Sequence, residues 1–356
     1  MKKINKTLFI IFIMFFVILF LIYENIKDKK TKDIVVNDYN IKQIQKKFAN
    51  LFSDSIIILD EWKIYELELC CDFPTDFKVN SFKEIKLDKF KGYGNGEIRF
   101  YDPFIFYKGD IKNILYEACY FDYKMKYDCT INLAKIVNND VVENKILHNP
   151  KHKISYPQVV ILEDDKIFIS LEEVGSKNGF PGIYEIKDKN LTLINKPIDK
   201  RLYDTTYFYH KGIYYAFGTD GEGNLRLYYG KNPREGKFTE HKSSPITNDK
   251  KLNRMAGNII RMKDKIYRFA MKNDKVYGGG INLLEIKTLN ENKYEEIFLK
   301  EKIFSQTLID EKTVLRHHII LDNKNIEKGK IKVIIDGANL WPMTMHGKKM
   351  KKIKRN

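Results

Sequence analysis

The chain has 356 residues, 43% of them hydrophobic and 13% aromatic, which is ample material for one large core; its 22 Tyr and 23 Phe suit strands better than a helical bundle. A net charge of +16, from 63 Lys and Arg against 47 Asp and Glu, raises nucleic acid as a partner. Lysine greatly outnumbers arginine and is spread over most of the expected turns, the mark of a Lys-, Asn- and Ile-rich coding bias, so nucleic acid is set aside.

Residues 1–6 form a short basic tail, and residues 7–23 carry an unbroken apolar run from Leu8 to Ile22. That run lies at the short end of the roughly 17–25 residues that span a bilayer. The segment Tyr23-Glu24-Asn25-Ile26 offers no small-residue cleavage site, so the expectation is a single uncleaved transmembrane helix rather than a signal peptide. Lys2, Lys3 and Lys6 precede it and Lys27, Lys29, Lys30 and Lys32 follow. This near balance gives only a slight lean, toward a cytoplasmic amino terminus and an extracytoplasmic bulk. Residues 24–54 read as a charged tether followed by a short amphipathic helix, from the spacing of Ile41, Ile44, Phe48 and Leu51.

From residue 55 to 337 one phrase recurs about every fifty residues: two apolar or aromatic runs split by a polar turn. It appears from Asp102 through Gly109 to Ile114-Leu115-Tyr116, and from Gln158 through Asp164-Asp165 to Ser170. It returns from Thr206 through Lys211-Gly212 to Gly218, and from Asn258 through Lys263-Asp264 to Ala270. Each is a hairpin signal. A hairpin repeated at this period buries its faces by radial stacking, so the expected fold is all-β, a five-bladed β-propeller preceded by the single membrane helix. Residues 338–356 are a basic tail, read as a solvated end, with lipid or polyanion contact as the sharper alternative.

Adjacent Cys70 and Cys71 are poorly placed for an unstrained disulfide, while Cys119 and Cys129 can bridge if they lie on paired strands. No Cys/His spacing suggests zinc, and no metal and no cofactor is expected, though a pocket rich in acids could hold calcium. Three carboxylates stand at corresponding places at the start or inner edge of repeats: Asp102, Glu172 and Asp204. Acids beside apolar inner strands are costly to desolvate unless they serve a polar pocket, and in a propeller such positions converge on the axis. Paired carboxylates are what glycosidic chemistry uses; the plain alternative is turn capping.

These residues resemble the five-bladed propeller found as the N-terminal domain of plant glucosamine inositolphosphorylceramide transferases. The matching stretches are Asp102-Pro103-Phe104 with Tyr116-Glu117, then Ser155-Tyr156-Pro157 followed by Glu172. Asp204-Thr205-Thr206 through Gly218-Thr219-Asp220, Asn253-Arg254-Met255, Tyr267-Arg268 and Tyr277-Gly278 continue the match, and Arg316-His317-His318 falls where the family tends to carry a histidine. The fold so implied is similar to furanosidase propellers of the arabinanase and invertase type. That likeness implies Asp102 as base or nucleophile and Glu172 and Asp204 as the acid and its modulator. Two positions depart from the family pattern: Ala118 follows Glu117 where a second acid is common, and Met271-Lys272 replaces a Gln-Asp pair.

Other candidates for the pocket are Arg254 and Arg268, which could hold a carboxylate or phosphate, against a reading as inter-blade salt bridges. Asp220 reads as a turn at the pocket rim, Tyr277 as a sugar-stacking ring or inter-blade packing. His317 is a candidate ligand contact; as strand neighbours, His317 and His318 are expected to face opposite ways. The implied function is a membrane-anchored propeller acting on or recognising a carbohydrate or glycolipid in cell-surface assembly. Two classes stay open: a hydrolase or transglycosylase, and a non-catalytic glycan-binding or scaffold module working with a separate partner glycosyltransferase. The resemblance places the transferase chemistry of the plant proteins in a separate C-terminal domain; with about twenty residues after Gly337, transferase activity is not expected of this sequence.

Overall fold

Alternation of apolar and polar residues around Gly-, Asn- and Asp-rich turns produces strands throughout the computed structural model. It describes residues 56–87, 97–121, 127–150, 152–162, 166–173, 179–187, 190–274, 277–304, 313–327, 330–346 and 349–352. β1 (Ile56–Asp72) and β2 (Asp76–Glu84) form an antiparallel pair. The first complete blade contains β3 (Glu97–Lys108), β4 (Ile111–Phe121), β5 (Tyr127–Val137) and β6 (Asp140–His148). The second contains β7 (Ser155–Ile161), β8 (Ile167–Glu172), β9 (Gly182–Lys187) and β10 (Asn190–Asn195). β11 (Tyr203–His210), β12 (Ile213–Thr219), β13 (Leu225–Gly230) and β14 (Thr239–Glu240) make the third.

In the fourth blade the inner strand is split into β15 (Arg254–Met255) and β16 (Ile260–Met262), both paired to β17 (Lys265–Met271), which continues to β18 (Ile281–Leu289) and β19 (Tyr294–Lys300). The fifth blade closes the ring. β20 (Thr313–Glu327) and β21 (Lys330–His346) come from the carboxyl end and pair onto β1 and β2, in the order β2-β1-β21-β20, with β22 (Lys349–Lys352) on β21. The chain is therefore an all-β, five-bladed propeller. The four hairpin phrases are β3–β4, β7–β8, β11–β12 and β16–β17.

The core lies between blades. Phe104, Ile114, Tyr116, Ile169 and Ile334 are buried together where the first blade meets its neighbours. Leu67, Phe269, Leu283 and Val333 do the same between the fourth and closing blades. Each fully buried aliphatic or aromatic side chain contributes about 1.5–3 kcal/mol, so the sheets cohere through these seams. A polar stitch runs across three blades: Gln158 accepts from the Tyr207 amide at 2.7 Å and donates to the Tyr207 carbonyl at 3.0 Å and Asn258 Oδ1 at 2.9 Å.

The expected membrane helix at 7–23 and the tether and helix at 24–54 lie outside the described residues. Among the described residues no helix is long and apolar enough to cross a membrane. β21 runs through residue 337, where the sequence reading ends the propeller: its backbone continues paired to β1, with Ile56 opposite Thr344. Cys119 and Cys129 face each other on β4 and β5 and are joined by a disulfide. Cys70 and Cys71 are free thiols with sulfurs 2.9 Å apart.

Candidate functional site

Four inner strands break their ladder at the same height: between Tyr101 and Phe104, Ser155 and Gln158, Tyr203 and Thr206, and Arg316 and Ile319. A bulge inserts an extra residue and re-aims side chains. Its first residue is left-handed at Asp102 (φ 51°), Tyr156 (φ 54°) and Asp204 (φ 53°). Such a conformation is uncommon outside glycine and clusters at functional sites. The fourth blade uses Gly257 (φ 107°), where an added Cβ would sit 2.1 Å from the Ile319 carbonyl oxygen. Glycine is required there, because the Ile319 amide also donates to the Ala256 carbonyl at 2.9 Å, tying the fourth blade to the closing one.

This geometry revises the equivalence expected from sequence. Asp102 and Asp204 share one position, but Tyr156 occupies it in the second blade. Glu172 instead lies opposite Ser155 on β8, as Glu117 lies opposite Tyr101 on β4. The acids are thus two pairs: Asp102 and Asp204 from bulges, Glu117 and Glu172 from second strands.

The bulge also overturns the expectation that His317 and His318 diverge. Asp336 on β21, fully buried, accepts the His317 and His318 amides on Oδ1 at 3.2 and 2.8 Å and the Asp102 amide on Oδ2 at 2.9 Å. Both ring Nδ1 atoms turn to the same carboxylate oxygen, at 3.1 Å for His317 and 3.3 Å for His318. Asp102 accepts the Tyr156 amide on Oδ2 at 3.1 Å. Its Oδ1 lies 2.8 Å from His318 Nδ1 and 3.6 Å from His317 Nδ1. Burial disfavours the charge on Asp102, but the neighbouring histidines outweigh it and hold the carboxyl below its usual range. Burial likewise opposes charge on His318, and Asp102 and Asp336 reverse it, lifting its pKa well above the ordinary imidazole value.

Around the second pair, Glu172 accepts the Thr205 amide at 3.0 Å and a bond from the Ser155 hydroxyl at 3.3 Å. Burial and the Asp204 charge push its carboxyl well above the normal range, against the opposing pull of Arg254. Glu117 is raised in the same way by burial and by Asp102. Arg254 Nε donates to Asp204 Oδ2 at 2.6 Å, and its guanidinium lies 5.5 Å from the Tyr277 ring centroid and 5.7 Å from that of Tyr203. Tyr277 keeps 40% of its surface exposed and sets its ring edge-on to His317 at 4.7 Å. Buried Trp62 backs His317 at 4.5 Å and Tyr101 at 5.4 Å.

Of the residues expected at the site, Asp102, Glu117, Glu172, Asp204, Arg254, Tyr277 and His317 are brought together. Arg268 is not: it is fully buried in an ion pair with Glu296, Nε at 2.7 Å and Nη2 at 2.6 Å. Asp220 organises its own turn, accepting the Glu222 and Asn224 amides at 3.0 and 2.9 Å and Arg226 Nε at 2.7 Å. Asp336 and Trp62 were not singled out from the sequence, and His318 was expected to face away from His317; their convergence depends on the closing blade, which joins β1 to β21 and β20. Among the described residues two groups bring potential metal donors within 4.8 Å: Asp102, His317, His318 and Asp336, and Glu117 with Cys119 and Cys129. The second is discounted because both sulfurs are in the disulfide. For the same reason Cys119 Sγ cannot donate to Glu117 Oε1, 2.9 Å away.

Residues 93–338 match the family described as the N-terminal domain of glucosamine inositolphosphorylceramide transferase 1. The chain belongs to that family. It is 25% identical over 257 residues to glucosamine inositolphosphorylceramide transferase 1 of Arabidopsis thaliana, a match covering 66% of this chain and 32% of the relative. The chain thus spans about a third of the length of the curated relative it matches. Among solved structures it is similar to the catalytic domain of a GH62 α-L-arabinofuranosidase from Coprinopsis cinerea, at 10% identity and a TM-score of 0.46, covering 67% of this chain and 90% of that one. An α-L-arabinofuranosidase from Podospora anserina solved with cellotriose gives 11% identity and a TM-score of 0.47, covering 70% and 93%.

Proposed function

We propose that the axial pocket recognises a carbohydrate, and that the chain serves cell-surface glycan or glycolipid assembly. The observation that carries this reading is the convergence of Glu117, Glu172, Asp204 and Arg254 from four blades beside the partly exposed Tyr277 ring. Carboxyl and guanidinium groups supply the directional hydrogen bonds that hydroxyl-rich rings need, and an aromatic face supplies a platform. The name of the relative in Arabidopsis supports the same class of ligand. The membrane helix expected from residues 7–23 would hold the propeller at a membrane, extracytoplasmic by the slight lean of the flanking lysines, and a partner glycosyltransferase would supply group transfer.

A specific observation favours a second reading, a hydrolase or transglycosylase. Burial and the Asp204 charge push the Glu172 carboxyl well above its usual range, the direction that suits a group protonating a leaving glycosidic oxygen. Asp102 serves less readily as base than the sequence analogy implied, since its carboxylate is engaged by the histidine cluster and the Tyr156 amide. The experiment is binding and turnover on a panel of surface polysaccharides, with wild type beside Glu172→Gln and Asp204→Asn. Binding without turnover, weakened in Asp204→Asn, supports recognition. Turnover abolished in Glu172→Gln supports the enzyme. Absence of any binding by the wild type refutes both.

A further inference from the structure

We propose that Asp102, His317, His318 and Asp336 form a binding site for a first-row divalent metal ion, with zinc the best match, at the seam between the first and closing blades. The inference is independent of the carbohydrate reading. Four donor atoms converge, Asp102 Oδ1, Asp336 Oδ2 and both histidine Nδ1 atoms, at separations of 2.8, 3.1, 3.3 and 3.6 Å. Bonds of about 2.0–2.2 Å to nitrogen and oxygen place neighbouring ligands about 3–3.5 Å apart in tetrahedral or octahedral shells, so these separations fit the edges of one coordination polyhedron. All four residues are buried, the most exposed at 4%.

Three features distinguish this cluster from an ordinary acid–histidine network. First, Asp102 Oδ1 is buried and points at both ring nitrogens, 2.8 Å from His318 Nδ1 and 3.6 Å from His317 Nδ1. Second, one oxygen of each carboxylate is held by backbone amides: Asp102 Oδ2 by Tyr156, and Asp336 Oδ1 by His317 and His318. Such outer hydrogen bonds orient carboxylate ligands in metal sites. Third, Asp336 Oδ2 faces three donors at once, the Asp102 amide and both imidazoles, a crowding that a cation between the rings and the carboxylates would relieve. Among the described residues the outer Nε2 atoms have no hydrogen-bond partner, and packing holds the rings: Trp62 and Tyr277 against His317, Tyr156 against His318.

Two imidazoles and two carboxylates suit zinc and its first-row neighbours, and they disfavour calcium and magnesium, which take oxygen shells. The consecutive histidines give no recognisable ligand spacing. Only the bulge between Arg316 and Ile319 lets both rings face one carboxylate. Because metal binding competes with protons for the imidazoles, affinity falls as pH falls.

The test uses the full-length chain, stripped with EDTA and offered zinc, manganese, cobalt or calcium in turn. The expected result is about one zinc retained per chain through dialysis, a rise in thermal midpoint, and two imidazoles in the zinc shell by X-ray absorption. His318→Gln and Asp336→Asn should lower retention by more than the roughly 10–100-fold typical of outer-shell changes, while Glu172→Gln leaves it unchanged. If the variants fail to fold, the absorption spectrum of the wild type still decides. Failure of the stripped wild type to retain zinc, or a zinc shell without imidazole, overturns the proposal. Glycan binding is not part of this readout, so either reading can fail alone.

Discussion

Replacing Arg268 separates a structural arginine from a ligand-binding one. Its guanidinium makes a bidentate pair with Glu296 and donates Nη1 to the Leu252 carbonyl at 3.0 Å, while Tyr294 donates its hydroxyl to Glu296 at 2.6 Å. Burial opposes the charge on Glu296, but Arg268 keeps its carboxyl below the ordinary value. Arg268→Ala removes one partner and leaves an uncompensated, nearly buried carboxylate, a change that costs about 3–5 kcal/mol. At about 2–4 °C per kcal/mol for a domain of this order of size, the thermal midpoint should fall by about 6–20 °C. Urea denaturation followed by intrinsic fluorescence measures the loss directly. The double variant Arg268→Met, Glu296→Met should recover most of it, since it removes both charges and restores volume. In the folded fraction, affinity for any bound glycan should stay at the wild-type level. A loss below about 1 kcal/mol, the range of a surface pair, would refute the assignment; so would intact stability with lost binding.

Glu172 and Glu117 have folded pKa values raised above their unfolded ones, so their contribution is fully present below the unfolded carboxylate pKa and lost as pH rises through the folded values. Glu172→Gln should therefore flatten the fall in stability on the alkaline side, which denaturation at a series of pH values detects; an unchanged slope contradicts the raised pKa. Reducing the Cys119–Cys129 bridge, which closes a segment with a sequence separation of 10, should cost about 2–3 kcal/mol by the chain-entropy relation, measured as the difference in denaturation with and without reductant. Tyr277→Ala should weaken polysaccharide binding about tenfold, or about 1.4 kcal/mol, while leaving the thermal midpoint nearly unchanged. Equal affinity in calorimetric titration would remove the ring from the binding surface.

The blades were legible in the sequence because a hairpin is a local event: β-branched runs around Lys211-Gly212 or Lys263-Asp264 need only their neighbours to pair. The acids were legible as a group, but their equivalence was not. Aligning Glu172 with Asp102 assumed that phrases starting alike place residues alike, whereas register puts Glu172 with Glu117. His317 and His318 were misjudged because strict alternation holds only in an unbroken ladder, and the bulge breaks it there. Arg268 could not be separated from Arg254 without knowing that Glu296, two strands away in the same sheet, faces the first and Asp204, in the preceding blade, the second. Asp336 lies outside every repeated phrase, and its importance comes from three amides supplied by two blades.

The closing blade carries a consequence for how the protein is made. β1, the earliest of the described strands to leave the ribosome, is hydrogen-bonded along its length to β21, with Tyr65 opposite Ile335, so it waits for about 270 further residues before that partner exists. Until then its free edge is exposed, a standing invitation to pair with another nascent chain. The late seam is fastened at two heights on the ring: Asp336 gathers the Asp102, His317 and His318 amides at one, and Lys112 joins Glu66 and Asp322 at the other. Synthesis rate and chaperone supply, more than the stability of the finished ring, should then set how much of this protein reaches its working state.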